Sequence, residues 1–421
     1  MANEPTQIIY PEDRLPIGQN LVAGLQHVVA MFGGTVLCPL LIGFDPNTTI
    51  FFSGIATILF FFVVGGKVPS YLGSSFSFIA AIIAVTAYSG TGPNPNIPLA
   101  LGGIIAAGAV YAVIGLIVMK TGHGWIERLM PPVLTGAIVA TIGLNLAPVA
   151  VQQVGGSQFN ILFGLLTVVL VALSAVFLPS FLARLPILIG GGIAYLLYFV
   201  ACNLNKMENP IDFTKVNDAA WLGLPHFTTP VFEPNAMLLI APVAIILVAE
   251  NLGHVRAISA MTGRNMDPYL GRAFFGDGIA TMFAGGFGGT GVTTYAENMG
   301  VMAITKNFSA ITFVTAGIFA ILLGLSPKFG ALIQTIPTPL IGGLSFVVFG
   351  LITSTAGRIW VDNKVNFTDP KNLIVVGVAA VISAGNLSLK IGNFDFGAIA
   401  LATFFAMALY HILNLKTARR S

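Results

Sequence analysis

Residues 285–306 read GGFGGTGVTTYAENMGVMAITK. The stretch is apolar or small enough for a membrane segment. Yet five glycines crowd its start, and an acid and an amide, Glu297 and Asn298, sit side by side further on. Each glycine costs about 1 kcal/mol relative to alanine inside a helix, so this density argues against one continuous helix. The β-branched and aromatic run Val292–Tyr295 favours extended backbone. The expected structure is a short extended piece followed by a half-helix that begins at Glu297. Irregular backbone at membrane depth is tolerated only where it is buried in protein or lines a cavity.

The chain around this stretch has 421 residues, 56% hydrophobic and 8% charged, with a mean hydropathy of +0.89. Soluble domains carry roughly a quarter charged residues, so the composition is that of a polytopic membrane protein. The 48 glycines and 24 prolines suit close helix packing and broken spans. The net charge of +3 is spread along the chain without a basic tract, which gives no sign of nucleic-acid binding. Cys38 and Cys202 fall in separate apolar segments, so neither a disulfide framework nor a metal site is expected. Residues 1–20 hold Glu4, Glu12, Asp13 and Arg14 without a signal-peptide core. They read as a cytoplasmic tail before an uncleaved first helix.

A span needs about 20 mostly apolar residues. Long candidates lie near 21–43, 98–119, 131–151, 160–178, 236–260, 308–325, 373–389 and 396–414. Shorter or glycine-broken ones lie near 48–66, 70–88, 186–202, 272–286, 287–305 and 331–353. The expected count is therefore fourteen, and the polar stretch 203–235 splits it into two sevens. With the N-terminus inside, Lys206, Lys215, Lys328 and Lys390 fall outside and the other fifteen Lys and Arg inside, as the positive-inside rule requires.

Two sevens invite a repeat. PVLTGAIVATIGL from Pro132 and PLIGGLSFVVFGL from Pro339 share glycines at Gly136/Gly343 and Gly143/Gly350. Ser74-Ser75-Phe76 corresponds to Thr293-Thr294-Tyr295, and 70–88 also opens irregularly. An odd number of spans per half inverts the second half, the design of secondary transporters with a midplane site on broken helices. The fold class expected is all-α polytopic membrane protein, fourteen segments in 7+7 inverted repeats.

Ionisable groups inside spans are functional candidates by default. They are His27, Glu250, His254, Asp277 and Glu297. Glu250 and His254 are four apart and share one helix face; such a pair could take up and release a proton. Glu297 opens a half-helix, where free N–H groups and the dipole favour a carboxylate and could also hold a ligand's carbonyl oxygens. His27, beside Gln26, can equally be an interhelical hydrogen-bonding group. Asp277 either orients a neighbour or shares the proton relay, and Asn298 supports packing. Phe76 and Tyr295 flank the two breaks, where rings could meet a flat ligand. Acceptor carboxylates plus free N–H donors complement a pyrimidinedione edge such as uracil's. That complementarity leaves a purine symporter, an anion transporter or channel, and an intramembrane enzyme as alternatives. The enzyme reading lacks a third zinc ligand beside the Glu/His pair.

Glu297-Asn298-Met299-Gly300, followed by Thr305-Lys306, matches the signature of the nucleobase–ascorbate transporters, also called nucleobase:cation symporter-2. Gln26-His27, YLGSSFSFI and VAENLGH resemble that family's first, third and eighth segments, and the similarity runs from about residue 15 to the C-terminus. Within the family the chain resembles bacterial uracil and pyrimidine permeases. The resemblance implies a core domain from 21–119 and 236–325 and a gate domain from 131–202 and 326–414. The external loop would be 203–235, with cytoplasmic tails at 1–20 and 415–421. It implies proton-coupled uptake across the bacterial inner membrane by a homodimer without a cofactor. Glu250 and Glu297 would bind the base with the backbone at Phe76 and Ala296, and His254 would help couple the proton. Three positions depart from the pattern. Ala296 stands for a glycine, Asp277 for an asparagine of some members, and Phe349 for a tyrosine. Ser345, one turn before Phe349, is the expected substitute hydroxyl for His254.

Overall fold

The computed structural model describes residues 8–88, 90, 92–179, 182–391 and 394–417. Helix α1 (Ile17–Ile42) starts after Pro16 and stops at Gly43, whose φ of 71° ends the helix. Asp45 caps α2 (Pro46–Val63), accepting from the Asn47 N–H. Strand β1 (Leu72–Ser74) and a 3-10 turn, Phe76–Phe78, lead into α3 (Ile79–Thr86). Then come α4 (Ile97–Thr121), the short α5 (Gly124–Leu129), α6 (Pro132–Val154), α7 (Gln158–Phe177) and α8 (Pro186–Phe199). A π-turn, Val200–Leu204, extends α8.

After the short α9 (Thr214–Asp218), the expected span 236–260 is two helices, α10 (Pro234–Ile240) and α11 (Val243–Thr262). Pro242 at the junction lacks the N–H that a continuous helix would use. Helix α12 (Leu270–Gly286) precedes strand β2 (Val292–Thr294) and α13 (Ala296–Thr305). The chain closes with α14 (Ala310–Gly324), α15 (Pro327–Ile333), α16 (Thr338–Asp362), α17 (Pro370–Ala384), the hairpin β3 (Leu389–Ile391)–β4 (Phe394–Phe396) and α18 (Ala398–Thr417). The hairpin had no signal in the apolar pattern.

Among the described residues nine helices are long and apolar enough to cross a membrane, taking α10 with α11 and α8 with its π-turn as one each, or ten if α14 and α15, bent by 85°, count as one. The chain is a multi-pass membrane protein. Helix α3 with its 3-10 turn and α17 are apolar but shorter, and α12, α13 and α14 have 17, 10 and 15 residues.

Two sets of helices each pack most extensively among themselves and meet through α1 with α16 and α11 with α6. Helix α4 lies along α12, and α2 and α1 along α14; α6 lies along α16, with α7 against α8 and α16 and α17 against α6 and α18. Small residues permit the close approach. A Cβ on Gly54 would lie 2.4 Å from the Gly317 carbonyl, and one on Gly143 would lie 2.5 Å from that of Phe349. Of the four glycines matched between the repeats, Gly136, Gly143 and Gly343 sit at such contacts, while Gly350 faces open space.

The two irregular stretches meet. Strands β1 and β2 pair antiparallel, Leu72 with Thr294, Gly73 with Thr293 and Ser74 with Val292. Ser75 N–H to the Gly291 carbonyl (2.9 Å) and Tyr295 N–H to the Tyr71 carbonyl (3.1 Å) extend the ladder at both ends. A threonine serves each strand in the same way. Thr57 of α2 accepts from the Leu72 N–H (2.9 Å) and donates to its carbonyl (3.3 Å). Thr281 of α12 does both for Val292 (3.2 and 2.9 Å). This equivalence corrects the repeat register by one residue: Leu72 matches Val292, so Ser75 matches Tyr295 and Phe76 matches Ala296.

Candidate functional site

The strand pair aims the starts of the 3-10 turn and of α13 toward α11. In the corrected register Ser77 is the counterpart of Glu297. The Ser77 hydroxyl donates to Glu250 Oε2 of α11 (3.4 Å). Glu250 of α11 and Glu297 of α13 lie within electrostatic range of each other. Both are partly buried. The two helix starts differ in their caps. Ser75 accepts from the Ser77 N–H (3.3 Å), whereas no side chain caps α13. The first N–H of α13, at Ala296, is thus available to an incoming acceptor. Ala296 is exposed, consistent with that use.

His254, one turn after Glu250, is held through Nδ1 by the Thr294 hydroxyl (2.8 Å). The expected Ser345 contact is not made. Ser345 is fully buried and donates to the Ile341 carbonyl in its own helix (2.7 Å), as a hydroxyl does when the carbonyl four residues back is the nearest acceptor. The partner that sequence reasoning missed, Thr294, is the last residue of β2.

Thr294 also donates to Asn251 Oδ1 (3.4 Å). The Asn251 amide donates to Asp277 Oδ2 (2.7 Å) and to the Tyr111 hydroxyl (2.9 Å), which donates to the Leu247 carbonyl (3.2 Å). Asp277 therefore sits one step behind the site, fully buried, with Thr293 also donating to it (3.5 Å). Its Oδ1 is buried without a hydrogen-bond partner among the described residues.

The aromatic pair divides. Tyr295 is buried, and its hydroxyl donates to the Ser74 carbonyl (2.8 Å) and accepts from Thr35 (3.3 Å). The ring packs over Gly34 and Gly73, inside protein rather than at an open face. Phe76, 9% exposed, meets Phe349 of α16 edge-on, with centroids 6.1 Å apart. Its ring lies where the first helix set meets the second. Asn298 and His27 pair away from these carboxyls. Asn298 Nδ2 reaches the His27 carbonyl (2.9 Å) and Nδ1 (3.1 Å), and the imidazole packs on Phe313 (4.4 Å). Both are buried and tie α13 to α1. Gln26 takes a partly buried α1 position, and among the described residues its side chain has no hydrogen bond to Glu250 or Glu297. An apolar cavity of about 290 Å³ lies elsewhere, among Leu238, Pro242, Ile245, Phe396 and Phe404, and offers little to a polar ligand.

Comparison with known proteins fits this picture. A family profile described as "Permease family", of xanthine/uracil permeases, matches residues 18–392. RutG of Escherichia coli (strain K12), whose name assigns it provisionally as a pyrimidine permease, is 58% identical over 97% of this chain and 92% of its own. The uracil permease of Escherichia coli (strain K12) is 37% identical over 97% and 94%. Among solved structures, the transmembrane domain of a cyanobacterial bicarbonate transporter, BicA, superposes with a TM-score of 0.63 at 17% identity, covering 96% of this chain and all of that one. That likeness speaks for the fold alone. The chain belongs to the permease family of nucleobase:cation symporter-2 proteins.

Proposed function

We propose that this permease imports uracil together with a proton by alternating access. The observation that carries the reading is Glu250, held by Ser77, within electrostatic range of Glu297 at the start of α13, which no side chain caps among the described residues. Two carboxylates accept from the two ring N–H groups of a pyrimidinedione, and the free N–H of α13 donates to a carbonyl. The uracil and pyrimidine permeases among the relatives support the same substrate class.

His254 lies beside Glu250 and is oriented by Thr294. In this reading a proton taken up by the pair lets Glu250 meet the base from outside. Asp277, linked through Asn251, sets the local field. The base contacts Glu250, Glu297 and the backbone at Phe76 and Ala296. The two helix sets support a core of 21–119 and 236–325 moving against a gate of 131–202 and 326–414. Phe76 against Phe349 lies on their boundary. Lys67, Arg264 and Arg272 gather at one end, which supports that end, with the N-terminus, facing the cytoplasm of a bacterial inner membrane. The fourteen-span reading counts the nine long helices together with α3, α12, α13, α14 and α17.

Vesicles with an imposed pH gradient in sodium-free buffer test both parts. Accumulation of labelled uracil is expected; accumulation that requires sodium contradicts proton coupling. Xanthine transport is the second reading, because the family's profile spans xanthine and uracil permeases. Excess xanthine that abolishes uracil uptake favours it. Cross-linking in native membranes is expected to capture a homodimer.

A further inference from the structure

Residues 9–13, ahead of α1, are not a free tail. Ile9 N–H donates to the Lys306 carbonyl (2.9 Å), and Phe308 N–H donates to the Ile9 carbonyl (2.8 Å), making a parallel bridge with Asn307. Ala310 N–H then donates to the Pro11 carbonyl (3.0 Å), and the Ser309 hydroxyl donates to that of Asp13 (2.5 Å). All of these partners lie in the α13–α14 turn, where Lys306 ends α13 with a φ of 55°. Residues 9–13 thus satisfy backbone groups that the end of one helix and the start of the next leave open.

The same residues grip a second element. Arg264, just past the end of α11, lies over the Tyr10 ring, 3.7 Å from its centroid, and pairs with the Glu12 carboxylate. The Ser259 hydroxyl of α11 donates to the Arg264 carbonyl (2.5 Å), which fixes the turn to its helix. Helix α11 carries Glu250, and α13 carries Glu297. At 1.5 Å per residue, Glu250 is about 20 Å along the chain axis from Arg264 and Glu297 about 14 Å from Lys306. The two carboxyl-bearing helices are therefore joined at their far ends by a strap outside the site.

We propose that Ile8–Arg14 is a brace for substrate binding, with Tyr10, Glu12 and Arg264 as positioning residues that hold α11 and α13 at one separation. This rests on the reading of Glu250 and Glu297 as the base-binding pair. None of these three residues touches substrate; they act through the helices.

The test is uracil titration of the purified full-length protein. Glu12→Arg and Arg264→Glu are each expected to weaken binding about three- to tenfold, the range of one ion pair plus one cation–π contact. The number of binding sites stays unchanged. The double swap restores the ion pair but not the cation over the Tyr10 ring, so it is expected to recover part of the lost affinity. Wild-type affinity in both single variants, or a loss that the swap does not reduce at all, overturns the brace. Where a charge reversal prevents folding, Glu12→Gln and Tyr10→Leu take its place with the same expected loss, and unchanged affinity in both overturns it. If the parent protein itself does not bind uracil, the site reading fails and the brace is read without ligand. Amide exchange across residues 299–306 then speeds up in Arg264→Glu and is partly restored by the swap; unchanged exchange overturns the brace.

Discussion

Gly73→Ala puts the strand crossing under direct load. A Cβ at Gly73 would lie 2.5 Å from Tyr295 Cζ, 2.6 Å from Tyr295 Cε2 and 2.6 Å from Thr35 Oγ1. The ring has nowhere to retreat. Its hydroxyl is bonded to the Ser74 carbonyl at 2.8 Å, and α1 approaches so closely that a Cβ on Gly34 would lie 2.7 Å from that oxygen. Overpacking of this kind costs about 1–3 kcal/mol. If the ring swings away, the buried hydroxyl bond adds about 1 kcal/mol, so the expected loss is about 2–4 kcal/mol. The strain falls on Tyr295, the residue before α13, and so on the placement of Ala296 and Glu297. Thermal unfolding of the detergent-solubilised protein and uracil uptake are both expected to fall. Adding Tyr295→Ala removes the obstacle, and the cycle is expected to show coupling of at least about 1 kcal/mol. A Gly73→Ala protein with parental unfolding temperature and uptake refutes the packing argument.

Glu250→Gln and Glu297→Ala are each expected to abolish uptake while leaving the size-exclusion profile intact; proton-driven uptake at the parental rate in both would reject the site. Thr294→Val keeps the shape but removes the hydroxyl that holds His254 at 2.8 Å. Uracil binding is expected to persist while accumulation driven by a pH gradient drops about tenfold or more, since positioned acid–base groups contribute on that order; equal accumulation refutes the coupling role. The Arg264 hydrogen bond holds the Glu12 carboxyl below its ordinary value, with Lys67 adding to it. A depressed carboxyl supports the folded strap fully above the ordinary carboxyl range and loses that support as pH falls through the lowered value. Asp13 and Tyr10 also face Arg264. Cleavage after Arg14 by an acid-tolerant protease is therefore expected to be slow near neutrality and to accelerate once pH has fallen below the ordinary carboxyl range; a flat profile counts against the pair.

The half-helix at 296–305 was legible because five glycines and a threonine-rich run cannot sit in one helix. Glu297 was legible because an acid in so apolar a chain calls for an explanation. The register of the crossing was not, since Ser74-Ser75-Phe76 and Thr293-Thr294-Tyr295 look alike in chemistry. Only the strand pairing and the matched threonines, Thr57 and Thr281, make Tyr295 the counterpart of Ser75. Tyr295 followed from that error. Its ring could be assigned to protein packing only once Gly34 and Gly73 were seen beneath it. Thr294 as the partner of His254 depends on how β2 lies against α11, a tertiary fact without local signal. The kink at Pro242 was present in the sequence but hidden by the apolar run around it. The strap is the opposite case. Its residues are polar and proline-rich, so the sequence reads as a tail, and the order comes from backbone groups that the α13–α14 turn leaves open.

Calorimetric titration of the purified protein with uracil, thymine, xanthine and hypoxanthine, repeated on Glu297→Ala, tests most directly whether Glu250 and Glu297 form a pyrimidine site. Saturable uracil binding that disappears in Glu297→Ala, with xanthine and hypoxanthine far weaker, is the expected result. Tighter binding of xanthine, or uracil binding that Glu297→Ala leaves untouched, would contradict it.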